Sequence, residues 1–181
     1  MPKLKDIKQF TQDGNYEVNV PLDFLAEKID EWVDDYGLIM VPDFQRGHVW
    51  NEAQQIAFVE YFLRGGKTGT ILYFNCPWWD TMNKEDCKGY SEFTVVDGLQ
   101  RITALLRFVR GELPVFGYKL GEYEDRLRMA RSGDNLRFNV NCLKNKADVL
   151  QWYIDMNTGG VVHTDEEIEK VRVLLEEENR K

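Results

Sequence analysis

Three short polar clusters lie far apart in this chain, and each holds residue types that suit an anionic ligand. The most informative is Asp97-Gly98-Leu99-Gln100-Arg101, with Thr103 just beyond. An apolar run, Phe93-Thr94-Val95-Val96, reads as a buried strand that ends on this acid-glycine turn. Ile102, Leu105, Leu106 and Val109 then follow helical spacing. A strand turning sharply into a helix presents backbone N–H groups and the positive end of the helix to a phosphate. Arg101 could add a two-pronged contact that lysine cannot reproduce, and Gly98 permits a tight turn and close backbone approach. Asp97 would repel a phosphate, which Mg²⁺ between them resolves; alternatively Asp97 orients an attacking water. The plainer reading has Asp97 capping the helix, Gly98 making the turn and Arg101 pairing with an acid. Taken on geometry alone, that plainer reading leads.

The second cluster is Gln45, Arg46, His48 and Trp50. Arg46 reads as a second phosphate clamp, Gln45 as a bond to a base or sugar, and His48 as a candidate base. Against this stands a loop held by Trp50 packing on the Arg46 guanidinium. The third is Asn157-Thr158-Gly159-Gly160, where a glycine turn could wrap a ligand with N–H groups or simply end a helix.

The elements that must carry these clusters are legible as an α+β arrangement of short strands and helices. Tyr16, Val18 and Val20 alternate as a strand, Pro21 opens a helix that Gly37 closes, and Leu38–Val41 reads as a strand. Asn51 and Gln54 have capping-box spacing for a helix to about Arg64, stopped by Gly65-Gly66. Thr70–Asn75 and Leu136–Val140 read as strands, Ala147–Met156 as a helix, and Thr164 with Glu167 as a capping box for the last helix. The boundaries drawn are a loose segment at 1–12, one domain at 13–170, and a fraying charged helix end at 171–181.

The 181 residues suffice for one well-buried core, and ten Phe, eight Tyr and five Trp argue against disorder. A net charge of −8 argues against broad, sequence-independent DNA binding, although it leaves room for a local basic cleft. Cys76, Cys87 and Cys142 are widely spaced and form no metal-binding pair. No secretory signal or membrane-spanning run is visible, so the expected setting is the cytoplasm.

Together these residues resemble the DUF262 family. Pro42-Asp43-Phe44-Gln45-Arg46-Gly47-His48-Val49-Trp50 resembles its P-x-[FY]-Q-R-x-x-x-W opening. Asp97-Gly98-Leu99-Gln100-Arg101-Ile102-Thr103-Ala104-Leu105 resembles its D-G-Q-Q-R-L-T-A-L hallmark, and Asn157-Thr158-Gly159-Gly160 its N-x-G-G turn. The resemblance implies a ParB/sulfiredoxin-like α+β fold, a small mixed sheet packed with helices. It also implies the nucleotide-hydrolysing part of GmrSD-type, modification-dependent restriction and phage-defence systems. Carried over, Asp97, Gln100 and Arg101 would be catalytic, with Asp97 reaching Mg²⁺. Gln45, Arg46, Gly98, Thr103, Asn157, Gly159 and Gly160 would hold the nucleotide, supported by His48 and Trp50. Partners would be a nucleoside triphosphate and either DNA or a nuclease subunit. Leu99 departs from the hallmark glutamine, which puts hydrolysis in question and favours the alternative of a non-catalytic regulatory module. A ParB-like DNA nuclease is the third reading.

Overall fold

In a computed structural model, the structure describes residues 16–45, 47, 49–124, 135–158 and 165–180. Strand β1 (Tyr16–Pro21) runs into a short 3₁₀ turn and then α1 (Leu25–Asp34). Leu25, Ile29 and Trp32 recur along one side of α1 and are all buried. Helix α2 (Glu52–Leu63) begins with the expected reciprocal cap: Gln54 N donates to Asn51 Oδ1, and Asn51 N to Gln54 Oε1, both at 2.9 Å. Next come β2 (Ile71–Asn75), β3 (Thr94–Asp97), α3 (Leu99–Val109), β4 (Asn135–Asn141), α4 (Lys146–Thr158) and α5 (Asp165–Asn179).

The four strands form one mixed sheet in the order β1-β4-β2-β3. β4 is antiparallel to β1 and parallel to β2, while β2 and β3 are antiparallel. Because strand side chains alternate, the sheet buries a separate apolar layer on each face. On one face Leu72, Phe74, Val95, Phe138 and Val140 meet α1, α2 and α3. Trp32 sits at the middle of that layer, 5.1 to 5.2 Å from the rings of Phe74, Phe93 and Phe138. On the other face Tyr73 and Val96 meet Val149, Leu150, Trp152 and Tyr153 of α4, with Ile168 and Val171 of α5 behind them. The result is an α+β domain with the sheet between two helical layers. Buried Asn75 fixes the lead-in to α4, since its side chain both donates to Leu143 O at 3.1 Å and accepts from Leu143 N at 2.8 Å.

One expectation is corrected. Leu38–Val41 is no full strand: Ile39 alone bridges to Thr94, its N–H donating to Phe93 O at 2.8 Å. Gly37, in the left-handed region at φ +67°, and Pro42, which lacks an N–H, leave too little chain to extend the ladder. Helix α5 runs to Asn179, through most of the charged end at 171–181. Ile168 and Val171 are buried against α4, and Arg172–Glu169 and Arg180–Glu176 pairs run along the exposed side. The Thr164–Glu167 capping box and the 1–12 segment lie outside the described residues. Among the described residues no helix is long and apolar enough to cross a membrane.

All three cysteines are free thiols. Burial pushes the Cys76 thiol up to about 12, and burial raises Cys142 as well. A thiol reagent at neutral pH is therefore expected to label Cys87 quickly in the folded protein, and Cys76 only after denaturation. Mass spectrometry of the labelled peptides checks this, and rapid native labelling of Cys76 would contradict the fold.

Candidate functional site

The site grows from the junction of β3 with α3. One extra residue sits in β3 here: Phe74 pairs with Val95 and its neighbour Tyr73 with Asp97, so Val96 bulges. Such a bulge bends the strand and re-aims the turn beyond it. Gly98 then starts the helix at φ +113°, which side-chain-bearing residues rarely adopt. A Cβ on Gly98 would also lie 2.5 Å from Leu72 Cδ2, so glycine is required twice over. The first helical hydrogen bond comes at once, Ile102 N to Gly98 O at 2.8 Å.

Asp97 at the end of β3 and Arg101 in the first turn of α3 meet in an ion pair at 2.5 Å between Oδ2 and Nη2. The pair is only partly solvated, with the Arg101 side chain 17% and Asp97 35% exposed. Arg101 Nη1 spends both of its hydrogens on backbone, donating to Gly69 O at 2.6 Å and Ile71 O at 2.8 Å. Of the two sequence readings of Arg101, the structure therefore displays the ion pair, and Asp97 is its partner. Asp97 does not cap α3; Gly98 is the capping residue and offers no side chain.

Two glutamines tie the 42–50 loop to this junction. Gln45 Nε2 donates to Val95 O at 2.8 Å and Val96 O at 2.6 Å, so its amide occupies both carbonyls at the bulge. Gln100 reaches the other way. Its Oε1 accepts from Val49 N at 2.9 Å and Trp50 N at 3.1 Å, and its Nε2 donates to Gly47 O at 3.2 Å. Trp50 packs on Phe58 with ring centroids 5.5 Å apart, rather than facing a ligand alone. Thr103 turns its hydroxyl back onto its own helix, bonding Leu99 O at 2.8 Å. Leu99 is 6% exposed and belongs to the core beneath α3, so the departure from the hallmark glutamine falls at an interior position.

The third cluster approaches through packing. Phe44 of the loop meets Tyr153 of α4 at 5.3 Å, and Asn157, one turn further on, donates to Tyr153 O at 2.7 Å. Arg46, His48, Gly159 and Gly160 lie outside the described residues. Sequence reasoning missed the 65–70 turn, whose Gly69 carbonyl takes the Arg101 guanidinium. Its glycines looked like a helix stop, although their density was the available signal. Among the described residues no three His, Cys, Asp or Glu side chains gather as a metal site, so Asp97 stands as a single carboxylate here.

A family model, described as the GmrSD restriction endonuclease N-terminal domain, matches residues 26–174. The chain belongs to this family. No curated protein and no solved structure matches it. The match runs from α1 into α5, so the junction, the loop and Asn157 all fall within the GmrSD N-terminal domain. Membership links the chain to DNA-restriction systems.

Two substitutions test this site. Gly98→Ala forces a left-handed alanine into contact with Leu72 and should cost about 2–4 kcal/mol in chemical denaturation. Gln100→Ala removes the acceptor of two amides. Hydrogen exchange at Val49 and Trp50 is then expected to accelerate about tenfold, while Ile102 stays protected.

Proposed function

We propose that this domain binds a nucleoside triphosphate with Mg²⁺ at the β3–α3 junction and hydrolyses it slowly, in the cytoplasm. The scaffold is of the ParB/sulfiredoxin-like kind, and the output passes to DNA or to a nuclease partner. One observation carries the reading: Gln45 and Gln100 fasten the loop of one family motif directly onto the turn of another. Residues 50 positions apart are held together where the chain turns from strand to helix.

The Asp97–Arg101 pair is the natural receiver for such a ligand. A magnesium-bound phosphate carries the same two charges as the pair, with opposite partners. Asp97 would hold the cation, whose chemistry is to neutralise the phosphates, and one carboxylate with substrate oxygens is an ordinary Mg²⁺ set. Arg101, released from Asp97, would turn Nη2 and Nε toward a phosphate, while its Nη1 bonds to Gly69 and Ile71 keep the side chain positioned. Gly98 lets the turn pack directly onto Leu72, and Gln100 keeps the 47–50 segment in place. Arg46, His48, Thr103, Asn157, Gly159 and Gly160 complete the proposed site, with Thr103 acting from within the helix.

A second reading is favoured by Leu99. Leucine here lacks the amide of the hallmark glutamine, which suits a regulatory module that binds nucleotide without turning it over. Retained binding with no phosphate release would decide for it.

The test is a thermal-shift screen of the four nucleoside triphosphates with and without Mg²⁺, because binding to the native state raises the melting temperature by mass action. At a hundredfold excess over Kd the gain is about 2.7 kcal/mol. Arg101→Ala is expected to abolish the shift, and also to lower the unliganded melting temperature through three lost hydrogen bonds. Glu177→Ala, on the exposed end of α5, should leave the shift intact. A full shift in Arg101→Ala would refute the site.

A further inference from the structure

We infer that the Gly65–Thr70 turn forms a second wall of this site and that Lys67 takes the terminal phosphate of the triphosphate. The inference rests on the nucleotide reading above and adds to it a residue outside the three motifs.

The turn lies directly on the Arg101 guanidinium. Besides the hydrogen bond to Gly69 O, a Cβ built on Gly69 would stand 3.3 Å from Arg101 Cδ and 3.8 Å from Phe58 Cε2. Glycine at φ +77° is what permits that contact. The rest of the turn is clamped from behind by Tyr61. Thr68 N donates to the Tyr61 hydroxyl at 3.1 Å, and the Tyr61 ring fills the space a Cβ on Gly66 would need, 2.3 Å away. Thr70 Oγ1 donates to Lys67 O at 3.0 Å, closing the turn internally. The backbone is thus held from two sides, while Lys67 and Thr68 form its exposed tip.

Charge supplies the second half of the argument. Asp97 balances Arg101, and one Mg²⁺ offsets only part of the negative charge of a triphosphate, so its last phosphate still calls for a cation. Lys67 is the turn's single charged residue. It lies two residues from Gly69, within about 7 Å along the chain. A lysine on a flexible stem suits the last phosphate, which needs a movable point charge more than a planar fork. A monophosphate would stop short of it.

The experiment is isothermal titration of the whole chain with each nucleoside triphosphate and its monophosphate, in Mg²⁺. Wild type, Lys67→Ala, Lys67→Arg and Lys84→Ala are compared, the last an exposed lysine on another loop. Lys67→Ala is expected to weaken triphosphate binding roughly tenfold or more and leave monophosphate affinity unchanged. Lys67→Arg should recover most of the loss, and Lys84→Ala should bind both nucleotides as wild type does. The unliganded melting temperature of Lys67→Ala should stay close to wild type, since the Thr70 bond that closes the turn goes to the Lys67 backbone carbonyl, which alanine keeps. Unaltered triphosphate binding in Lys67→Ala, with loss in Arg101→Ala, overturns this wall while the junction site stands. Equal losses for tri- and monophosphate overturn the assignment to the terminal phosphate. A wild type that binds no nucleotide removes both.

Discussion

Everything near the β3–α3 junction depends on one guanidinium. Arg101 holds the last residue of β3, the first residue of β2 and the turn before it, through three bonds of 2.5 to 2.8 Å. Each bond is charge-assisted, so each is stronger than its neutral counterpart, and together they fix three segments in one orientation. Lysine could not do this, having no planar fork to span two carbonyls and a carboxylate at once. The same residue is thus a structural tie and the proposed ligand contact. Those roles conflict only if the ligand must displace all three bonds; displacing Asp97 alone leaves the tie standing.

The two glutamines solve a different problem. β3 lies at the edge of the sheet, and an edge carries backbone groups with no strand to satisfy them. Ile39 pairs with its start, but Pro42 prevents the chain from continuing alongside. Gln45 then supplies an amide to Val95 and Val96 where a neighbouring strand would have supplied N–H groups. The 42–50 loop is thus held in register without being part of the sheet. Gln100 repeats the device from the helix side.

Much of this was legible in the residue order. Strand alternation, the Asn51–Gln54 cap and the apolar spacing of α1 and α3 are local signals, and the structure follows them closely. The convergence of Gln45 with the 97–101 turn was legible only through the resemblance of three motifs in the right order. What stayed hidden was non-local. Nothing near Arg101 announces that Gly69 and Ile71, 30 and more residues earlier, receive its Nη1. Nothing near Val96 announces a bulge, because a bulge is a mismatch of two strands and appears in neither alone. Phe44 likewise finds Tyr153 across more than a hundred residues.

The order of strands across the sheet also governs how the chain can assemble. β4 lies between β1 and β2, so Tyr16 waits for Val140, and Ile71 for Arg137, before either strand gains its central neighbour. On a ribosome the β2–β3 pair emerges with one side open, and β1 remains unattached until β4, more than a hundred residues later, has been made. Closing such distant pairings is slow because loop entropy must be overcome before contacts form. The late arrival of one strand is thus the step that converts a set of exposed edges into a sheet, and a nascent chain stalled before it would be the form most prone to aggregate.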